Sequence, residues 1–336
     1  MKYFITGAGG FIGSNLVEKL LENGNEVRAL ILQGTDESNL DAVRDKIEIV
    51  YGDITNYEEM EPLLQGIDIV IHLAGIVDDW GPRDLYMKVN YEGSKNILDA
   101  GLKTGINRFV FMSSLSVHGF EGFKNNEENT PYTPFNAYAE SKMKVEELLN
   151  LNYEENNIDM VIVRPGFIIF GPRDVKYSLE QYDRIYKKHK FECVSKGKAV
   201  SCYSYVENLV DGLILVSTHP KAAGETFIIS DGPIITFREL MEKMFASCDV
   251  ELKLTSIPYW LAYPVVALLE GIYKLFRRKK GPLLTRYRVN VASKDLGFVN
   301  DKIVKELGYD PKINLEEACK RTFDWYLKYT EEKKEV

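Results

Sequence analysis

The chain has 336 residues, 45% of them hydrophobic and 27% charged, with a formal net charge of −8. That length and apolar content suffice for a main domain with a smaller lobe, and an acidic chain with no distributed basic face is a poor match for nucleic acid. Its four cysteines, Cys193, Cys202, Cys248 and Cys319, lack metal-ligand spacing, and its four histidines form no i, i+4 pair, so reduced thiols and no metal site are expected. Met1 almost adjoins the first strand, so no signal peptide is expected and the compartment expected is cytoplasmic.

In chain order, Lys2-Tyr3-Phe4-Ile5 is a β-prone run that enters Thr6-Gly7-Ala8-Gly9-Gly10-Phe11-Ile12-Gly13 and leaves through an amphipathic helix over 14–23. A strand, a tight turn and a helix start suit a pyrophosphate, because backbone N–H groups and the positive helix end face the anion. In this reading Gly7 permits the turn, Gly10 lets the backbone approach the phosphates, and Gly13 lets the helix pack on the strand. The remaining turn residues Gly9, Phe11 and Ile12 join them as candidate cofactor contacts.

Short apolar runs follow at 26–32, 47–51, 67–73, 108–112 and 159–163, separated by segments able to form crossover helices. The repetition predicts an α/β fold: a Rossmann-type, doubly wound parallel sheet. Past Gly171-Pro172-Arg173 the alternation loosens, and 174–191 and the chain from 236 onward read as helical insertions over the carboxyl ends of the strands. The expected division is a dinucleotide-binding domain over 1–172, with return segments near 196–232. A smaller, mainly helical substrate lobe would be built from 173–195 and 233–330.

Ser114, Tyr138 and Lys142 carry the chemistry. Oxidising an alcohol needs a base within hydrogen-bond reach of the hydroxyl while hydride leaves carbon. A free Tyr titrates near about 10, and a neighbouring ammonium lowers that value. Tyr138 and Lys142, at i and i+4, share one helix face. Lys142 is thus expected to tune Tyr138 and hold the nicotinamide ribose, with Ser114 orienting the substrate oxygen.

These residues resemble the extended short-chain dehydrogenases/reductases, the group that includes nucleotide-sugar epimerases and 3β-hydroxysteroid dehydrogenases. Thr6 to Gly13 is similar to that family's cofactor turn, and Gly52-Asp53-Ile54 to the strand end that meets the adenine. His72-Leu73-Ala74-Gly75 resembles the loop under the cofactor, and Asn90-Tyr91-Glu92-Gly93 the helix whose Asn helps shape the active site. Ser113-Ser114-Leu115-Ser116-Val117-His118 resembles the catalytic-serine strand, with Ser114 as its hydroxyl and His118 where a Tyr is common. The resemblance also implies cofactor contacts by Asp53, Ile54, Leu73, Ala74, Gly75, Tyr138, Lys142 and Pro165, and a homodimer.

Two stretches bear on substrate. Gly166-Phe167-Ile168-Ile169-Phe170-Gly171 lacks the Asn common in sugar-nucleotide relatives, and Leu115-Ser116 after Ser114 replaces the Asp-Glu pair of dehydratases. The apolar run 257–276, ending in Arg277-Arg278-Lys279-Lys280, resembles the C-terminal region of 3β-hydroxysteroid and sterol dehydrogenases. Two prolines and two charged residues argue against a membrane span. A core helix, a roof over an apolar pocket and peripheral membrane contact all remain open.

The expected activity is hydride transfer between a nicotinamide cofactor and a secondary alcohol or ketone, on a hydrophobic substrate of the 3β-hydroxysteroid type. A nucleotide-sugar 4-epimerase using the same Ser114, Tyr138 and Lys142 is one alternative. A non-catalytic dinucleotide sensor is another, since fold alone does not establish catalysis. Asp36 and Glu37 favour NAD; Arg44 and Lys46 would favour NADP if their loop folds back.

Overall fold

The computed structural model describes residues 1–155, 159–189, 191–276, 278 and 280–334. Strands β1 (Lys2–Thr6), β2 (Glu26–Ile31), β3 (Glu48–Tyr51), β4 (Ile69–His72), β5 (Arg108–Met112), β6 (Asp159–Pro165) and β7 (Thr226–Ile229) form one sheet. Their order is β7-β6-β5-β4-β1-β2-β3, and every neighbouring pair is parallel. Consecutive side chains alternate faces, so Phe4, Val70, Phe109 and Ile162 enter one core while Ile5, Ile71, Val110 and Val161 enter the other. The strands read as continuous apolar runs because helices cover both faces.

Those helices are α1 (Phe11–Glu22), α2 (Tyr57–Leu63), α3 (Gly93–Thr104), α4 (Ala137–Glu155) and α5 (Val206–Thr218). Leu16 and Val17 of α1 and Leu209 and Leu213 of α5 fill the core on one side; Ile97 and Leu98 of α3 and Val145 and Leu149 of α4 fill it on the other. The strand order reverses between β1 and β4, opening the crevice where such sheets bind ligands.

Each expected strand is present within a residue or two, and α1 begins earlier than expected, at Phe11, because Gly13 already lies inside the helix. The seventh strand, β7, lies in the return segment and extends the sheet beyond β6. Helical turns occupy the middle of 174–191, and a strand begins at its end. After the helix Ser178–Tyr182 and the π-helical turn Asp183–Lys187, Phe191–Val194 is a strand paired with Leu254–Ile257. Phe191 and Cys193 are buried while Glu192 is exposed, a strand's period of two.

Beyond β7 the chain is mainly helical: α6 (Phe237–Ser247) starts at a capping box of Thr236 and Glu239, and is followed by α7 (Tyr259–Leu275), α8 (Arg286–Val291) and α9 (Leu315–Glu332). Helix α7 is not a core helix, since Val266 and Glu270 are its buried residues. No helix among the described residues is long and apolar enough to cross a membrane. Of the basic run after α7, Arg278 and Lys280 are exposed, while Arg277 and Lys279 lie outside the described residues.

Candidate active site

The glycine turn joins β1 to α1 in the crevice. Gly7 has φ +68°, and a Cβ there would lie 3.0 Å from the Ala74 amide nitrogen; a Cβ on Gly13 would strike the Gly7 carbonyl oxygen at 2.2 Å. Gly10 is exposed at the N-terminus of α1, which has no side-chain cap. A close-packed turn that presents bare backbone N–H groups at a helix start fits the pyrophosphate of a dinucleotide. Gly9, Phe11 and Ile12 lie on this turn, and the Gly9 carbonyl accepts a hydrogen bond of 3.1 Å from Asn39.

Around the turn, Thr6 organises the neighbouring strand ends. Its hydroxyl accepts the amides of Leu73 (3.1 Å) and Ala74 (3.0 Å), so its own proton points to Nδ1 of His72 at 2.7 Å. His72 therefore carries its proton on Nε2 and donates to Ser94 Oγ at 2.9 Å, and Ser94 donates to the Asn90 carbonyl at 2.5 Å. Burial and the Lys142 charge push the His72 pKa down to about 3, so the ring is neutral.

Asn90 sits in the π-helical turn Met87–Glu92 that precedes α3 and is fully buried. Its Oδ1 accepts the Ile76 amide at 2.7 Å, and its Nδ2 donates to the Ile76 carbonyl and to Ser141 Oγ, each at 3.0 Å. Ser141 in turn donates to the Tyr138 carbonyl at 2.7 Å. Asn90 thus ties the loop after β4 to the helix that carries Tyr138 and Lys142. Gly75 belongs to the same cluster, because a Cβ on it would meet Asn90 Oδ1 at 3.0 Å and Lys142 Nζ at 3.8 Å.

Lys142 is buried, and its ammonium donates to the Met112 carbonyl at 2.7 Å and lies 4.6 Å from the Phe111 ring centroid. Desolvation lowers its pKa to about 8, opposed by the charge of Glu146. Tyr138 is half-buried, and its phenol lies near the Ser114 hydroxyl. The expectation that Lys142 lowers the Tyr138 pKa is corrected here. Burial raises it, with Ser114 opposing, because the ammonium is directed to the Met112 carbonyl rather than to the phenol.

Other expected contacts are dispersed. Asp53 is exposed and caps its own turn by accepting the Thr55 amide at 2.9 Å, while Ile54 is buried in the core against Gly93. Pro165 ends β6 in register with Ile229, two residues past Val163, whose carbonyl accepts the Ser113 amide at 2.7 Å. In the loop after β2, Glu37 holds Arg44 at 2.6 Å and accepts the Tyr51 hydroxyl, so Arg44 is turned into an ion pair rather than toward the glycine turn.

Several residues near the site had no role assigned from the sequence. Ser141 and Ser94 are linkers defined only by the fold. Ser116 donates to Ser114 Oγ at 2.9 Å, and Tyr287 of α8 reaches the same group of hydroxyls. Behind them, the Glu146 carboxylate accepts Ser113 Oγ, Tyr132 at 2.6 Å, and Arg164 through Nε at 3.0 Å and Nη2 at 2.5 Å. Glu146 lies one turn past Lys142, a spacing that was legible, but Arg164 lies on a distant strand.

Residues 4–259 match the family described as 3-beta hydroxysteroid dehydrogenase/isomerase. A sterol-4-alpha-carboxylate 3-dehydrogenase (decarboxylating) of Mus musculus is 30% identical over 334 residues, covering 96% of this chain and 90% of the relative. A 3-beta-hydroxysteroid dehydrogenase of Mycolicibacterium neoaurum is 30% identical over 339 residues, covering 97% and 91%. Among solved structures, the UDP-glucose 4-epimerase of Thermus thermophilus in complex with NAD superimposes with a TM-score of 0.77 at 21% identity, covering 97% of this chain and 99% of that one. That likeness is one of fold.

Proposed function

The chain belongs to the 3-beta hydroxysteroid dehydrogenase/isomerase family, and from that premise we propose that it oxidises a secondary alcohol, or reduces the ketone, on an extended apolar substrate of the 3β-hydroxysteroid type. It is a nicotinamide-dependent oxidoreductase of the extended short-chain type. The observation that carries the site assignment is the Ser114 hydroxyl facing Tyr138, with a buried ammonium one helical turn away on Lys142.

In this reading the glycine turn would hold the pyrophosphate and the loop at Leu73, Ala74 and Gly75 would lie under the cofactor, whose nicotinamide would supply the hydride acceptor or donor. Tyr138 Oη takes the hydroxyl proton of the alcohol, or returns it to the ketone oxygen. Ser114 Oγ holds that oxygen in line with the phenol. Lys142, with its ammonium at the Met112 carbonyl, would hold the nicotinamide ribose, and Asn90 fixes the loop at Ile76 relative to α4. Residues 1–172 with 196–232 hold the cofactor, and 173–195 with 233–330 hold the substrate. Arg44, the arginine of the loop after β2, is already paired with Glu37, which supports NAD over NADP.

The exposed apolar face of α7 and the basic residues beyond it support a peripheral membrane contact, through which an apolar substrate would be reached. An anionic-vesicle binding assay tests it.

The activity is tested by offering the purified protein NAD or NADP with 3β-hydroxysteroids and, separately, UDP-sugars. Net reduction of NAD with a steroid is expected. Replacing Tyr138 with Phe should lower kcat by about 10²–10⁴-fold while cofactor binding is retained. Sugar epimerisation without net reduction would overturn the substrate class, and full activity in Tyr138→Phe would overturn the role of the phenol.

A further inference from the structure

The hydroxyls of the site do not end at Ser114. Ser116 is buried and donates to Ser114 Oγ at 2.9 Å, while its backbone amide donates to the same oxygen at 3.2 Å. The Tyr287 phenol lies near the Ser116 side chain and near Tyr138. The hydrogen-bonded Ser114–Ser116 pair is therefore flanked by two phenols, Tyr138 and Tyr287, of which Tyr287 is supplied by the helical region after β7.

The placement of Tyr287 is held from both sides. Its helix α8 is capped by Thr285, whose hydroxyl also donates to Asp79, and Arg288 pairs with Asp79 at 2.9 Å. Arg286 is held by Glu270 of α7 through its backbone amide at 2.6 Å and its guanidinium at 2.8 Å. The Tyr287 ring stands edge-on to Phe120 at 5.3 Å, and Phe120 in turn meets Phe135 at 5.3 Å and Phe167 at 6.4 Å. An aromatic wall thus leads away from these hydroxyls, polar at one end and apolar along its length. That is the shape of recognition wanted by a large alicyclic molecule bearing one oxygen.

Resting on the activity proposed above, we propose that Tyr287 is a substrate-positioning residue: its ring and Phe120 wall the apolar body of the substrate, and its hydroxyl, beside Ser116, meets the oxygen-bearing end. Burial, with Tyr138 and Asp79 nearby, pushes the Tyr287 pKa well above the usual phenol range. The group therefore stays protonated and acts as a hydrogen-bond donor, leaving proton exchange to Tyr138.

The test compares Tyr287→Phe and Tyr287→Leu with the parent protein in NAD reduction by a 3β-hydroxysteroid and by cyclohexanol, and in binding of a 3-ketosteroid to the protein–NADH complex followed by NADH fluorescence. Loss of one substrate hydrogen bond in Tyr287→Phe should raise the steroid KM and the ketosteroid Kd by about 10-fold, with a smaller change in kcat and none in NADH affinity. Tyr287→Leu should also lose most of the preference for steroid over cyclohexanol. Unchanged steroid KM and ketosteroid Kd in both variants would overturn the proposal, as would a parallel fall in NADH affinity and thermal stability, which marks a purely structural residue. If the parent turns over UDP-sugars and no steroid, the proposed activity fails by itself. Tyr287 is then judged by the KM of the sugar substrate, and an unchanged value in Tyr287→Phe overturns its positioning role as well.

Discussion

His72 and His118 show how firmly single side chains are committed around this site. His118 donates from Nδ1 to the Pro131 carbonyl at 3.1 Å and accepts from Arg164 Nη1 at Nε2, also at 3.1 Å. Burial and the Arg164 charge push its pKa down to about 4, and burial with Lys142 takes His72 to about 3. Below the ordinary value of 6.5 the unfolded chain binds protons that the folded chain refuses, so unfolding becomes more favourable as pH falls from 6.5 toward 4. Each shifted pKa unit corresponds to about 1.4 kcal/mol, so His118 alone contributes about 3 kcal/mol of acid sensitivity across that window. Urea unfolding at about pH 7 and about pH 5 should therefore show a marked loss of stability, and His118→Gln, which keeps a donor and an acceptor, should show a smaller one. Equal losses in the parent and in His118→Gln would mean that His118 is not held neutral. Lys142 acts in the alkaline range with the same sign. Its folded pKa of about 8 lies below the ordinary 10.5, so its contribution to stability rises with pH between those values.

At the scale of elements, the end of β5 and the face of α4 are clamped together residue by residue. Lys142 binds the Met112 carbonyl, Glu146 binds the Ser113 hydroxyl, and Tyr138 faces Ser114. Side chains one turn apart on a helix thus meet three consecutive residues of a strand end, which sets the register of the Ser–Tyr pair. The Tyr138–Lys142 spacing was legible in the sequence because i, i+4 is local. The clamp was not, because it depends on Arg164, brought from β6 to neutralise Glu146 in a fully buried ion pair. Glu146→Gln should cost about 3–5 kcal/mol, since it leaves the Arg164 guanidinium buried without a counter-charge. Glu146→Leu combined with Arg164→Met should recover most of that loss in urea unfolding while NAD reduction stays low, because Ser113 remains unheld. Wild-type stability in the single variant would remove the clamp from the account. The turn at Gly7 and Gly13 was legible for the same reason as the Tyr–Lys pair. Its geometry is set within one strand–helix junction, whereas the Thr6–His72–Ser94–Asn90 chain joins β1, β4, α3 and the π-helical turn before α3 and left no local trace.

For the molecule as a whole, the parallel sheet was readable because strands buried on both faces are uniformly apolar, and helices must then alternate with them. Helix α7 was not readable in that way: an apolar run reads alike whether protein or lipid covers it, and packing decides. Here Leu261, Val265, Leu268, Ile272 and Leu275 recur at spacings of four and three along α7 and are all exposed, Leu268 by 68% and Leu275 by 77%; Trp260, by 74%, and Phe276 flank them. The opposite face carries Glu270, which pins Arg286 and so fixes the helix to the body of the protein. With 17 residues, α7 is about 25 Å long and can lie in a lipid interface, its stripe among acyl chains and Lys274, Arg278 and Lys280 at anionic headgroups. Its neighbour α8 carries Tyr287, so an apolar substrate leaving the lipid would pass α7 on the way to Ser114 and Tyr138. The chain should float with phosphatidylserine-containing vesicles, bind neutral phosphatidylcholine vesicles less, and be released by salt. Leu268→Glu with Leu275→Glu should abolish flotation and raise the KM for vesicle-borne steroid, while NADH binding persists. Failure to float would refute lipid contact. If the same pair of substitutions instead converted a dimer to a monomer in size-exclusion chromatography, the stripe would be a face between two copies of the chain.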